Sequence, residues 1–171
     1  MTKPETLNKP KLNLMTEFTH SALLDYLNAL RIAEKKYRLA IGEAAGPQSD
    51  WHDNAAFEEA NRLVDVTSGQ ISQIEQKLRN VQFITPREVT TTIDIGNTVI
   101  VKFDAEPDNE AFTILGPDDS RLKPGWISNL SELAQCLIGK KTGDIAEYST
   151  IDVKNVLNHR ITIVEIHRGN F

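Results

Sequence analysis

Two runs of mostly apolar residues, each stepping alternately by four and three, occupy the first half of the chain. The first holds Leu23, Leu27, Leu30, Glu34, Tyr37, Ile41 and Ala44. The second holds Phe57, Ala60, Val64, Thr67, Ile71, Ile74, Leu78 and Val81. A heptad seam on each side of a turn is the pattern of an antiparallel coiled coil. The spacing predicts one helix from near Thr16 or Glu17 to about Ala45 and a second from about Asp53 to Asn80. Between them, Pro47 cannot continue the first helix and Gly46 suits a left-handed cap. Asp50 or Asp53 can open the second helix by accepting from its unpaired amides. Each arm covers roughly 28 residues, so at ~1.5 Å per residue the tip stands about 40 Å from the base.

From Glu88 the period changes to two. Val99, Val101 and Phe103 point one way while Thr98, Ile100 and Lys102 point the other, which predicts a strand. Residues 111 to 115 predict a second strand, closed by Gly116-Pro117-Asp118-Asp119 as a turn. Ser131 caps a short helix through Ile138 that Gly139 ends, and Ile145 to Thr150 and His159 to His167 read as further strands. The last is apolar on both faces, which places it in the interior of a sheet. Residues 1 to 14, with Lys3, Lys9, Lys11 and two prolines but no periodicity, read as a disordered tail. The chain is thus expected to be α+β. Residues 15–84 form an N-terminal antiparallel helical hairpin, and residues 85–171 a C-terminal antiparallel sheet with one short helix.

Composition narrows the partners. A formal charge of −5 over 171 residues argues against a large electrostatic footprint on duplex DNA. A single cysteine, Cys136, excludes an internal disulfide framework. No apolar run approaches the ~18 residues that span a bilayer, and the start lacks the apolar core of a signal peptide. A soluble cytoplasmic protein without membrane contact is the expectation.

Candidate chemistry gathers at the hairpin tip. Asp50 and Asp53, three apart at a helix start, can face the same way. They admit two readings, a cap that offsets the helix dipole or part of a Mg2+ shell, an ion that takes one or two carboxylates. Trp51 is either a contact residue or a staple folded back on Phe57. His52 reads as a solvated turn residue or a ligand, and Cys136 as a core residue rather than a nucleophile. A glycine-rich phosphate loop, a zinc spacing and a nucleophile elbow are all missing.

The tip Ser49-Asp50-Trp51-His52-Asp53-Asn54-Ala55-Ala56-Phe57 resembles the Gly-Asp-x-x-Glu-Asn-Ala-Glu-Tyr of the bacterial Gre transcript-cleavage factors, the GreA and GreB type. Gly69-Gln70-Ile71 and Glu75-Gln76-Lys77-Leu78 resemble that family's Gly-Arg-Ile and Glu-x-x-Leu elements. Ile114-Leu115-Gly116-Pro117-Asp118-Asp119 resembles its Ile-Val-Gly-x-Asp-Glu. Ile127-Ser128-Asn129-Leu130-Ser131-Glu132-Leu133-Ala134, followed by Leu137-Ile138-Gly139-Lys140 and Gly143-Asp144, resembles its C-terminal signature.

The resemblance implies an FKBP-like C-terminal domain that docks on bacterial RNA polymerase, with Asp118, Asp119, Ser128 and Ser131 as candidate docking residues. It also implies a coiled coil that reaches through the secondary channel to the active centre. There Asp50 and Asp53 would help hold a Mg2+ shared with the polymerase and promote cleavage of backtracked RNA, with Trp51, His52, Asn54 and Phe57 shaping the tip. On this reading the chain is a monomer and no enzyme by itself. It meets the nascent RNA 3′ end indirectly and has no small-molecule substrate. Four positions depart from the family pattern: Asp53 replaces Glu, Gly46 and Asn61 stand where the family carries arginines, and Glu132 replaces proline. The alternatives are a channel binder that inhibits or modulates polymerase without cleavage, and an FKBP-like isomerase or chaperone with the hairpin as a handle.

Overall fold

The computed structural model describes residues 12–44, 55–88, 91–104, 106–152 and 155–171. In chain order the elements are β1 (Asn13–Met15), α1 (Glu17–Ala44), α2 (Ala55–Lys77), β2 (Val81–Phe83), β3 (Asn97–Phe103), β4 (Asn109–Leu115), β5 (Trp126–Ser128), α3 (Glu132–Leu137), β6 (Ile145–Asp152) and β7 (Asn155–Arg168). Two compact units result. One is His20–Asn80, and the other joins the residues up to Thr19 with Val81–Phe171.

In the helical unit, the four-and-three spacing is what buries residues. Leu27, Leu30 and Ile74 form a core completed by Leu23, Ile71 and Leu78. Arg31 meets Glu75 at 2.8 Å and Ser68 Oγ donates to Glu34 at 2.6 Å. Residue numbers rise on one helix as they fall on the other, so the pair is antiparallel. The second helix ends at Lys77, short of the expected Asn80. Asn80 takes a left-handed φ of 51°, which asparagine tolerates better than most residues. That conformation breaks the helix and turns Val81, read as its last seam position, into the start of β2.

The larger sheet of the other unit has five strands in the order β5-β4-β3-β7-β6, antiparallel except where β5 runs parallel to β4. One face is covered by α3, so that Ala134 and Leu137 pack with Val99, Val101, Ile114, Ile161, Ile163 and Ile166. Each buried valine, leucine or isoleucine among them contributes about 1.5–3 kcal/mol. β7 is interior as expected, but for a different reason. The register with β3 shifts between Ile100 and Val101, which leaves Val164 as an extra residue. This bulge reverses the alternation. Ile166 therefore returns to the face that Ile161 and Ile163 bury, and the apolar run is one face interrupted. His159 is half-buried and stacks on Tyr148 with ring centroids 4.7 Å apart.

The expected tail and hairpin bounds change at the N-terminus. Asn13 and Leu14 pair with Val81 and Gln82 in a short parallel ribbon, and Ile84 N donates to Met15 O at 2.9 Å. Three-residue strands carry no period that a sequence reading can detect. A second small core forms beside this ribbon from Ile84, Leu115 and Trp126, with Leu14, Ile95 and Phe171 against it.

On the β3–β4 hairpin, Glu110 hydrogen-bonds the Glu106 carboxyl. That bond, then burial and repulsion, raises its pKa above the usual carboxylate range. A raised folded-state pKa favours folding below the ordinary range, and the benefit is lost as pH rises through the raised value. Glu110→Gln is therefore expected to flatten the stability profile over mildly acidic pH and to stabilise slightly at neutral pH. Melting curves from pH 4 to 7 for both chains test this, and parallel profiles would refute it.

Candidate functional site

Asp50, Trp51, His52, Asp53 and Asn54 lie outside the described residues, but the turns that flank them are described. Phe57, in the first turn of α2, is 37% exposed despite its seam position. Its carbonyl accepts from Asn61 Nδ2 at 2.9 Å, so this amide is spent on its own helix. Arg62, the first basic residue after the turn, grips both oxygens of Glu59 at 2.7 and 2.6 Å. That hydrogen bonding holds the Glu59 carboxyl below the usual carboxylate range. Arg38, the last basic residue before the turn, meets Glu34 at 2.8 Å. The Glu34 carboxyl is likewise held low, first by the Ser68 hydroxyl and then by Arg38.

Such exposed pairs add little stability; their importance is to the local field. Glu43, Asp50, Asp53, Glu58 and Glu59 are the only formal charges between Arg38 and Arg62. Both bracketing guanidinium groups are already offset by a neighbour on their own helix. By sequence, the acids between the two arginines have no lysine or arginine among them to compete for their charge.

The candidate docking residues fall around the β4–β5 connection, and the structure separates them. Asp118 is half-exposed. Asp119 is fully buried and accepts from Thr16 Oγ1 (2.7 Å), Thr16 N, Thr19 Oγ1 and Gly116 N (3.0 Å). It cannot touch a partner, because the start of α1 already occupies its oxygens, and its assignment as a docking residue is corrected. Ser131 is the α3 cap, accepting from Ala134 N at 3.2 Å and donating to Ser128 O at 2.7 Å. Ser128 Oγ accepts from Leu130 N at 3.1 Å. Both serines shape this surface from within.

Sequence reasoning missed the apolar rim. Leu12 and Leu130 are 55% and 59% exposed. With Asn13, Leu14, Pro117, Asp118 and Asn129 they line a hollow of about 280 Å3. Asn129 Oδ1 is buried without a partner among the described residues. In the same unit, Lys123 Nζ lies 5.0 Å from the Phe18 ring centroid and 4.7 Å from that of Trp126. No spacing rule reveals these groups, since they come from three separate stretches of chain. Cys136 is half-buried against the core, and burial, only partly offset by Lys140, pushes its thiol up. That agrees with a packing role and not with a nucleophile.

The chain is similar to known proteins. Residues 88–168 match the family described as transcription elongation factor, GreA/GreB, C-term. The chain is 36% identical over 122 residues to the transcription elongation factor GreA of Streptococcus mutans, covering 71% of this chain and 74% of that protein. It is 32% identical over 123 residues to GreA of Polaromonas naphthalenivorans, covering 71% and 78%. Among solved structures, the GreA factor homolog 1 (Gfh1) protein of Thermus thermophilus matches at 20% identity and a TM-score of 0.39, covering 90% of this chain and 97% of that one. The prokaryotic transcription elongation factor GreA/GreB from Nitrosomonas europaea matches at 23% and 0.38, covering 64% and 92%. By its identity to curated relatives over more than two thirds of their length, this chain belongs to the GreA/GreB family of transcription elongation factors.

Proposed function

We propose that this chain binds RNA polymerase through its secondary channel as a monomer and stimulates Mg2+-dependent cleavage of backtracked RNA, with Asp50 and Asp53 as the assisting pair. The observation that carries the reading is the charge at the helical turn. Two carboxylates occur three residues apart between packed antiparallel helices, and the basic residues on either side, Arg38 and Arg62, are engaged by Glu34 and Glu59. The donor set fits Mg2+, which accepts one or two carboxylates and leaves its other positions to water and phosphate. When bound, the ion supplies charge stabilisation and a more acidic water for phosphodiester cleavage. Asp50 and Asp53 would hold it, and Asn54 and Phe57 would shape the approach. In the sheet unit, Asp118 and the apolar rim of Leu12 and Leu130 form the polymerase-docking surface, braced by Ser128 and Ser131.

The test is a halted, backtracked polymerase complex given Mg2+ and the purified chain. Release of short 3′ fragments is expected, and an unshortened transcript would overturn the reading. A second reading is favoured by Asn61, whose amide is bonded to Phe57 O where the family carries an arginine, and by the shorter Asp53. It is a channel binder that slows nucleotide addition without trimming. The same gel distinguishes them, since only the second predicts slower extension with full-length RNA.

A further inference from the structure

We propose that Thr16 and Thr19 are positioning residues for polymerase docking, clamping Asp119 so that the β4–β5 connection presents Asp118 in one fixed conformation. The inference rests on the docking reading above.

Adjacent aspartates here have opposite environments. Asp118 is half-exposed, whereas Asp119 is fully buried. The Asp119 carboxylate gathers donors from two places far apart in sequence. Gly116 N donates to Oδ2 at 3.0 Å from within its own turn. Thr16 N reaches Oδ1 at 3.1 Å and Oδ2 at 3.3 Å, Thr16 Oγ1 donates to Oδ1 at 2.7 Å, and Thr19 Oγ1 donates to the same oxygen. Asp119 N donates to Gly116 O at 3.2 Å and Leu122 N to Asp119 O at 3.1 Å, so the connection is pinned on both sides of the clamped residue.

Two further features show a built arrangement. Thr16 Oγ1 also accepts from Thr19 N at 3.2 Å, which caps α1 and fixes both hydroxyls on the carboxylate side. Gly116 lies so close under the Leu14 carbonyl that any Cβ there would overlap it, so β1 seats directly on the connection. A loop already held in its bound conformation loses less freedom on association. The clamp therefore acts on affinity and leaves the chemistry at the helical turn alone.

Thr19→Val keeps the side-chain shape, leaves the Thr16 cap in place and removes one donor. The factor concentration giving half-maximal cleavage should rise about tenfold, with the rate at saturation unchanged. Thr19→Ser should restore it. Amide exchange at Leu122 in the free chain should quicken while Val99 and Ile163 stay protected, which shows that the fold survives. A merely structural effect would add to that of Asp118→Ala. A clamp working through Asp118 should contribute nothing further in that background. If Asp118→Ala weakens polymerase binding and Thr19→Val does not, the clamp falls alone. If Asp118→Ala leaves binding unchanged, the docking reading falls and the clamp's role falls with it.

Discussion

Replacing Asp50 and Asp53 together by asparagine is expected to remove stimulated cleavage by a factor on the order of 10²–10³, the scale seen when one preorganised electrostatic partner of a transition state is deleted. Asparagine keeps the shape and one oxygen donor but carries no charge, so it isolates the carboxylates from their contribution to the helix start. Each single variant should cost nearly as much as the pair, because groups that hold one ion act as a unit. Half-saturation should not move, since the proposed docking surface lies in the sheet unit. Asp53→Glu, which restores the methylene found in the family pattern, should raise the rate. Persistent RNA shortening by the double variant would show that the acids cap the helix and do nothing else.

That prediction depends on residues named from sequence alone, and the described structure adds only their surroundings. The helical unit was the most legible part. Leu27, Leu30, Ala60, Val64, Thr67 and Ile74 are all buried where the heptad spacing placed them, because a repeated step of 3.5 residues marks one face over many turns. Short and irregular elements were not legible. The strands β1, β2 and β5 have three residues each, too few for alternation to register. The bulge at Val164 made a one-sided strand read as two-sided. At the candidate site, Asp119 was read as a docking residue, whereas its carboxylate is buried against Thr16, Thr19 and Gly116. Nothing in its neighbourhood of sequence tells an acid facing solvent from one facing threonines a hundred or more residues earlier.

The cost of removing that carboxylate can be bounded. Asp119→Ala leaves Thr16 N and Gly116 N without their acceptor in a fully buried site, and both threonine hydroxyls lose theirs. A hydrogen bond to a charged group contributes about 1.5–3 kcal/mol, and an orphaned buried donor costs about 1–3 kcal/mol. The losses overlap, because the two hydroxyls can turn to hydrogen-bond each other. A net destabilisation of about 3–5 kcal/mol follows, in the range measured when one side of a buried charged interaction is removed. For a unit of this size that lowers the melting temperature by more than about 10 °C. Asp119→Asn should fall between, since its Oδ1 still accepts from the hydroxyls while its Nδ2 faces the Gly116 and Thr16 amides, donor against donor. Calorimetry of the three chains at neutral pH checks the order. A loss below about 1 kcal/mol for Asp119→Ala would mean that water replaces the carboxylate at little cost, and the start of α1 would then be held by the β1–β2 ribbon and its own cap alone.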